Sequence, residues 1–218
     1  MKKSFAIIGL GRFGQSLLEE LVQFTDNIIV IDKYQDTVQE ASKFVNQCFI
    51  MDSTNEKSLL EKGVGNVDHA IICIGSDLEA TILTLVSLKN IGVKKITVRC
   101  DQDAYKPILE KLGATDIVSP QKLAGNSLAN SLFMNVDEYY KLSGDYCMVR
   151  LVTPGDFKEI TMIDLNARNN FGVNILLIKH GEKEFAPKGT DKIKGKDSLY
   201  VVGRNNDIVR FTRALNLK

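Results

Sequence analysis

Residues 7–14 read Ile-Ile-Gly-Leu-Gly-Arg-Phe-Gly, and this stretch decides the fold of the chain. The apolar run 5–8 leads into the G-x-G-x-x-G pattern. A segment of helical periodicity follows, with apolar residues on one face: Leu17, Leu18, Leu21 and Val22. This order of strand, tight turn and helix is typical of a nucleotide-binding site.

The three glycines of this motif have distinct predicted roles. Gly9 allows the sharp turn, Gly11 lets the backbone approach a diphosphate, and Gly14 lets the helix pack close to the strand. The N–H groups at the start of the helix attract the anion. Because the glycine pattern alone is a weak signal, the alternative is a well-packed turn that binds nothing.

Asp32 strengthens the prediction of a nucleotide site. It ends the next apolar strand, 27–32, about 20 residues beyond the glycines, where a carboxylate hydrogen-bonds a ribose hydroxyl. A carboxylate at this position favours an unphosphorylated ribose over a 2′-phosphate.

The composition is that of an ordinary globular chain and excludes several classes. A formal net charge of +1, without a basic or acidic block, gives no sign of a nucleic acid polymer or an anionic lipid surface as a partner. We find no secretory signal and no apolar run near the roughly 18 residues that cross a bilayer, so we expect no membrane insertion. The four cysteines are widely spaced, as in reduced core thiols of a cytosolic protein.

Apolar strands alternate with helical segments from residue 1 to about 134. The predicted strands are 4–9, 27–32, 47–52, 69–75, 95–100 and 116–119, and the best-marked helices are 77–90, 104–112 and 121–133. Near-continuous apolar strands such as 70–74 indicate burial on both faces. The pattern predicts an α/β fold, a Rossmann-like, doubly wound parallel sheet with right-handed crossovers.

A second, smaller domain is predicted after a linker at 135–145, where Ser143-Gly144-Asp145 is a turn signal. Residues 146–218 combine short strands at 146–152, 174–179 and 198–202 with helical segments at 162–169 and about 206–215. This is a small α+β domain. Because so small a domain buries little core, we expect it to dimerise.

The carboxyl ends of the predicted strands form a binding rim, because ligands of such sheets sit beyond these ends. Besides the glycine loop, the rim comprises Asp32, Lys33, Asp52, Ser53, Thr54, Ile74, Gly75, Ser76 and Arg99. Arg12 and Arg99 are placed to meet phosphate charge with forked donors, although Arg12 fits a solvated loop cation equally well. Two arginines on one rim favour a ligand with more phosphate than NAD requires.

The sequence contains no recognisable catalytic pair. Hydride transfer needs a substrate pocket with a positioned acid or base, and neither His69 nor His180, the only histidines, has such a partner in the sequence. We therefore predict that the chain is not an enzyme. A small NAD(H)-dependent oxidoreductase is the alternative, and a redox-sensing transcription repressor would need a helix-turn-helix and a basic face, which are absent.

The order of several motifs resembles the regulator-of-potassium-conductance (RCK) family. These motifs are 9–14, Asp52-x-Thr54, Ile74-Gly75, Lys111-Leu112-Gly113-Ala114, Ile117-Val118-Ser119-Pro120 and Asp164-Leu165-Asn166-Ala167-Arg168. The likeness covers essentially the whole chain, from an N-terminal nucleotide lobe to a C-terminal ligand lobe. Within the family, the chain most resembles the KtrA-type cytosolic regulatory subunits of bacterial Ktr/Trk potassium uptake systems.

The resemblance implies a gating-ring subunit that regulates potassium transport. Family members form homodimers that assemble into an octameric ring beneath a membrane-embedded potassium channel or transporter subunit of the KtrB/TrkH type. The implied location is cytoplasmic, at the inner face of the plasma membrane. ATP or ADP binds the N-terminal lobe, with ATP activating, and NAD(H) is a ligand in parts of the family.

Family roles extend to individual residues of the first lobe. In the glycine loop, Gly9, Gly11, Phe13 and Gly14 surround Arg12, the implied phosphate contact. Asp32 is the implied ribose acid, with Lys33 beside it, Asp52 to Thr54 and Ile74 to Ser76 form the implied base-side rim, and Arg99 is phosphate-side. Gln121 stands where the family has a cation-binding Glu, and because an amide lacks the charge that hard divalent ions favour, the metal remains unassigned.

For the C-terminal lobe the resemblance implies a cyclic di-AMP site between two subunits. Its implied residues are Ile163, Arg168, Asn174, Ile175, His180 and Pro187. Arg168 and His180 would meet phosphates or base edges, while the isoleucines and the proline would sandwich adenine. The alternatives are ordinary core packing for the isoleucines and a plain hairpin residue for His180.

Overall fold

The computed structural model describes residues 3–75, 77–134, 136 and 138–217. The chain divides into two compact units, Met1–Lys122 and Leu123–Lys218. Among the described residues, no helix is both long enough and apolar enough to cross a membrane.

The first unit is built on a six-stranded parallel sheet in the order β3-β2-β1-β4-β5-β6. Its strands are β1 Phe5–Ile8, β2 Ile28–Asp32, β3 Gln47–Ile50, β4 His69–Ile72, β5 Ile96–Arg99 and β6 Asp116–Val118. The helices that follow these strands are α1 Arg12–Leu21, α2 Gln35–Ala41, α3 Glu56–Glu61, α4 Leu78–Asn90, α5 Lys106–Leu112 and α6 Pro120–Met134, which continues past the division between the units. The strand order reverses between β1 and β4, where ligands of doubly wound sheets bind.

Both faces of the sheet are covered, as the continuous apolar strands predict. In β1, Ala6 and Ile8 join the core cluster on one face, whereas Ile7 joins the cluster on the other. Helix α4 is fixed at its start by Asp77, whose Oδ1 accepts the Ala80 N–H at 2.9 Å. These contacts hold the carboxyl ends of the central strands in place.

The second unit is built on an antiparallel sheet in the order β11-β10-β13-β8-β7. Its elements are β7 Glu138–Ser143, β8 Tyr146–Val152, β9 Ile160–Thr161, α7 Met162–Leu165, α8 Ala167–Phe171, β10 Asn174–His180, β11 Lys183–Phe185, β12 Lys192–Ile193, β13 Ser198–Arg204 and α9 Asn205–Ala214. Phe211 of α9 is fully buried and packs edge-on against Phe171, with ring centroids 5.3 Å apart. A Rossmann-like sheet followed by a small α+β unit confirms the predicted fold class.

Three features of the second unit differ from the sequence prediction. Within the predicted linker 135–145, residues 138–143 form β7, because the buried Tyr139 gives this short segment an inward face against β8. The short strands β9 and β12, which pair with each other, and β11, which pairs with β10, had no prediction. The predicted helical segment 162–169 is two helices, since Asn166 adopts a left-handed φ of 45°, which Asn tolerates better than most residues.

Candidate nucleotide-binding site

A cavity of about 710 Å³ lies in the first unit, at the carboxyl ends of β1, β2, β3, β4 and β5. Its size falls within the roughly 300–1,000 Å³ of small-molecule sites. It brings together most of the predicted rim: Gly9, Gly11, Asp32, Lys33, Asp52, Ser53, Thr54, Ile74, Gly75 and Arg99. Arg12, Phe13 and Gly14 are not part of the lining, and Ser76 is outside the described residues.

The glycine loop shows which glycines the fold itself requires. Gly9 has a φ of 91°, and a Cβ on Gly14 would stand 2.1 Å from the Gly9 carbonyl oxygen. A Cβ on Gly11 would meet no protein atom within 4 Å. The turn and the strand-to-helix packing therefore explain Gly9 and Gly14, whereas the protein leaves space at Gly11.

Helix α1 begins directly after Gly11, which has no side chain with which to cap it. The first N–H groups of a helix have no intrahelical partners and carry partial positive charge. Gly11 lines the cavity and directly precedes these N–H groups, so an anionic group bound beside Gly11 would lie next to the start of the helix.

Asp32 has a structural role that the sequence reasoning missed. Its Oδ2 accepts the Leu10 N–H at 2.6 Å, and its Oδ1 accepts the Tyr34 N–H at 2.9 Å. The carboxylate thus ties the glycine loop to the end of β2. Each carboxylate oxygen accepts more than one hydrogen bond, so capacity for a ribose hydroxyl remains.

The loop after β3 is stabilised by hydroxyl groups. Asp52 Oδ1 accepts from the Thr54 N–H at 2.9 Å and the Thr54 hydroxyl at 2.8 Å, and these hydrogen bonds hold the pKa of Asp52 below its usual range. Ser53 is buried, and its hydroxyl hydrogen-bonds the buried Thr84 hydroxyl of α4 at 2.8 Å. Ser87, also on α4, donates to the Thr54 carbonyl at 3.2 Å. Helix α4 therefore fixes this part of the cavity wall.

Arg99 lies at the cavity wall but is already engaged by a carboxylate. Its Nε and Nη2 donate to Asp101 Oδ2 at 3.1 and 2.8 Å, and its side chain is 15% exposed. With the Gln121 amide oriented so that both polar atoms are satisfied, its oxygen accepts from Arg99 Nη2 at 2.7 Å and its nitrogen donates to Asp101. The Phe13 ring lies 6.0 Å from the guanidinium carbon, which brings this glycine-loop residue close to Arg99.

The reactivity of Cys73, the exposure of Arg12 and the distribution of metal-ligating residues bear on which ligands the site could bind. Burial raises the pKa of the Cys73 thiol to about 12, so this lining residue stays protonated and unreactive at neutral pH. Arg12 is exposed at the first position of α1, and its role as a phosphate contact stays a prediction. Within the described part of the chain, no group of three or more His, Cys, Asp and Glu residues could hold a metal ion.

The residues of the predicted second site lie in the second unit. Ile163 on α7 is 65% exposed, Arg168 and Asn174 are exposed, and Pro187 is half-buried. Ile175 is buried in the core, so ordinary packing accounts for its side chain. The exposed His180 places its Nδ1 2.5 Å from Oδ1 of the buried Asp197. A polar cavity of about 340 Å³ beside the start of α9 includes none of the six predicted residues.

Comparison with known proteins places this architecture in context. The TrkA-N domain family matches residues 5–120, and the TrkA-C domain family matches residues 148–216. The chain is 37% identical to Ktr system potassium uptake protein C of Bacillus subtilis, over 98% of this chain and 97% of that protein. It is 35% identical to Ktr system potassium uptake protein A of the same organism, over 96% and 95%.

A solved structure described as the GsuK channel bound to NAD has a similar fold, with a TM-score of 0.64 at 12% identity. The match covers 99% of this chain and 40% of that chain, so the present chain spans less than half of the channel protein. At this identity the likeness supports the fold alone.

Proposed function

The chain belongs to the TrkA family of potassium uptake proteins, and we propose that it is a nucleotide-sensing regulatory subunit of a potassium transporter. Its membership confirms both the resemblance to the RCK family and the prediction that the chain is not an enzyme. Its role lies in regulating potassium transport. The ligand, the assembly and the location are the parts that we propose.

The observation that carries the nucleotide proposal is the cavity at the switch point of the sheet. It combines the open backbone at Gly11, the carboxylate of Asp32 and the guanidinium of Arg99. Phosphates would lie at the glycine loop and the start of α1, within reach of Arg99, with the ribose at Asp32 and the base toward Asp52 and Thr54. Arg12, exposed at the same helix start, would contact the terminal phosphate.

The charges in the lining limit where phosphates could bind. Lys33 and Arg99 are the cationic lining residues, against four carboxylates, those of Asp32, Asp52, Asp77 and Glu79. Because carboxylates outnumber cations in the lining, phosphate groups would depend on the partial positive charge of the N–H groups at the start of α1 to offset repulsion. We propose ATP or ADP as the ligand, with NAD(H) as an alternative that Asp32 also suits.

We propose a second, cyclic di-AMP site in the second unit. The exposed Ile163 would stack on adenine, and the exposed Arg168 and His180 would meet phosphates or base edges. Asp197 would hold the His180 ring in place through Nδ1. Ile175 would support this site from the core without touching the ligand.

We also propose the assembly that the sequence resemblance implies. The chain would form homodimers and an octameric ring, bound in the cytoplasm to a membrane-embedded potassium transport subunit. Exposed apolar residues along α6, among them Leu128, Leu132 and Phe133, give a surface that a second copy would cover. Co-purification with the transport subunit and the mass of the free protein in solution would test these points.

Mass spectrometry of the small molecules released from the purified protein is the direct test of the ligand. It distinguishes ATP or ADP, NAD and cyclic di-AMP in one measurement. Calorimetry with each nucleotide should then show binding without turnover, and an absence of ATP and ADP binding at both low and high salt would refute the ligand assignment.

Arg12→Ala tests the role of the exposed arginine. If Arg12 contacts the terminal phosphate, the variant should weaken ATP binding about tenfold, as expected for one lost charge-assisted hydrogen bond, and NADH binding much less. Arg213→Ala, which removes an exposed arginine of the second unit, is the matched control and should change neither. Equal loss of ATP and NADH affinity would exclude this role for Arg12.

A further inference from the structure

The guanidinium of Arg99 is held by its neighbours so that only one side faces the candidate site. Nε and Nη2 are engaged by Asp101 and Gln121. Among the described residues this leaves the two N–H groups of Nη1. A Cβ added to Gly75, which lines the cavity, would stand 2.6 Å from Nη1. The Nη1 edge is therefore the part of Arg99 that a ligand in the cavity could use.

Asp101 changes the charge that this edge offers. A carboxylate that accepts two hydrogen bonds from a guanidinium cancels most of the positive charge that a group farther away than the carboxylate would experience. The Asp101 side chain is 29% exposed, so water screens the pair only in part. A phosphate approaching Nη1 meets a polarised ion pair instead of a free cation, and each additional phosphate charge gains correspondingly less.

Gln121 and the start of α6 fix the geometry of the pair. The Gln121 amide bonds to both partners without adding charge. The Ser119 hydroxyl donates to the Cys100 carbonyl, and Asp103 bridges Lys122 at 2.6 Å and Lys106 at 2.7 Å. The first turn of α6 is thereby tied to the loop that carries Asp101.

We propose that Asp101 and Gln121 are positioning residues that set the phosphate-charge preference of the nucleotide site through Arg99. This inference rests on the proposed function of the cavity. It assigns the neutral amide at position 121 to the Arg99–Asp101 pair and not to a cation. In this chain the pair lowers the advantage of a triphosphate over a diphosphate.

The test is the ratio of the ADP and ATP dissociation constants, measured by calorimetry in EDTA and again with Mg²⁺. A ratio separates a change in charge preference from a general loss of affinity. Asp101→Asn should raise the preference for ATP over ADP about three- to tenfold, as expected for removing one partly screened negative charge near the phosphates. Gln121→Glu adds a negative charge at the pair and should lower the preference by a similar factor in EDTA.

Asp116→Asn is the matched control. Asp116 is an exposed carboxylate of the same unit at the amino end of β6, the sheet edge opposite the cavity. Removing its charge should change the ratio less than twofold. Thermal denaturation of each variant checks folding, and because Gln121 is exposed on the first turn of α6, Gln121→Glu carries the test if Asp101→Asn fails to fold.

The outcomes separate this inference from the proposed function. If the parent protein binds neither nucleotide, the proposed function fails. If it binds both and the ratio stays within twofold in the folded variants, or shifts in the same direction in both, the inference is overturned alone. It is also overturned if Gln121→Glu tightens ATP binding only with Mg²⁺, because position 121 would then serve a cation.

Discussion

Replacing Gly11 and Gly14 by alanine separates ligand binding from folding within a single motif. Gly14→Ala places a methyl group 2.1 Å from the Gly9 carbonyl oxygen, where ordinary contact begins at 3.4 Å. The two backbones must move apart by about 1.3 Å, the difference between these distances. Because neither group is a flexible side chain, we expect a cost of about 3 kcal/mol, at the upper end for overpacking.

Gly11→Ala has the opposite balance. Gly11 has a φ of −62° and a ψ of −178°, which alanine adopts readily. Its added Cβ meets no protein atom within 4 Å. The lost cap preference of glycine and the reduced entropy of the unfolded chain are each on the order of 0.5–1 kcal/mol and opposite in sign, so stability should change by less than about 1 kcal/mol.

The consequence for the ligand follows from the open space at Gly11. If a phosphate group binds beside the backbone at Gly11, as we propose, a methyl group there would occupy the space that the phosphate needs. We expect at least a tenfold loss of ATP and ADP affinity, or about 1.4 kcal/mol.

Thermal denaturation and calorimetry together check both variants. For a chain of this length about 1 kcal/mol corresponds to roughly 2–4 °C, so Gly14→Ala should lower the Tm by about 6–12 °C and Gly11→Ala by no more than about 4 °C. Gly125→Ala, which also adds a Cβ with no neighbour within 4 Å, is the control for nucleotide affinity; because Gly125 lies inside α6, where alanine is preferred over glycine, its Tm should not fall. A Gly11→Ala protein that binds ATP with unchanged affinity would refute the reasoning, as would a Gly14→Ala protein of parental stability.

Two further predictions concern hydroxyl and carboxylate groups near the site. Thr84→Val should leave the buried Ser53 hydroxyl unpaired and lower the free energy of unfolding, measured by urea titration, by about 1–3 kcal/mol. Adding Ser53→Ala removes the unpaired hydroxyl and should recover part of this loss. A double variant no more stable than Thr84→Val would contradict this reasoning. The hydrogen bonds from Lys106 and Lys122 lower the pKa of Asp103 to about 2, so its stabilising contribution should be complete above its ordinary pKa of 3.8 and be lost as the pH falls toward 2. Carboxyl titration by NMR measures this pKa directly. In the control protein carrying Lys106→Ala and Lys122→Ala, the pKa of Asp103 should return to its ordinary value.

The candidate site was predictable from the sequence to the extent that it depends on backbone pattern. The glycine spacing, the apolar strands and the position of Asp32 are local features, and parallel strands bring their carboxyl ends to one edge by geometry alone. This is why the cavity lining includes most of the predicted rim.

Local pattern alone determined the fold class and the place of the cavity. Only the tertiary structure decided which hydrogen-bond partner each polar side chain has. Some partners are distant in the sequence, and others cannot be told apart by sequence pattern from neighbouring polar residues. Asp32 reaches back to Leu10, Ser53 pairs with Thr84, and Arg99 is shared between Asp101 and Gln121. Likewise, residues 138–143 form the strand β7 because they pair with β8. The sequence of this short segment does not predict that pairing by itself.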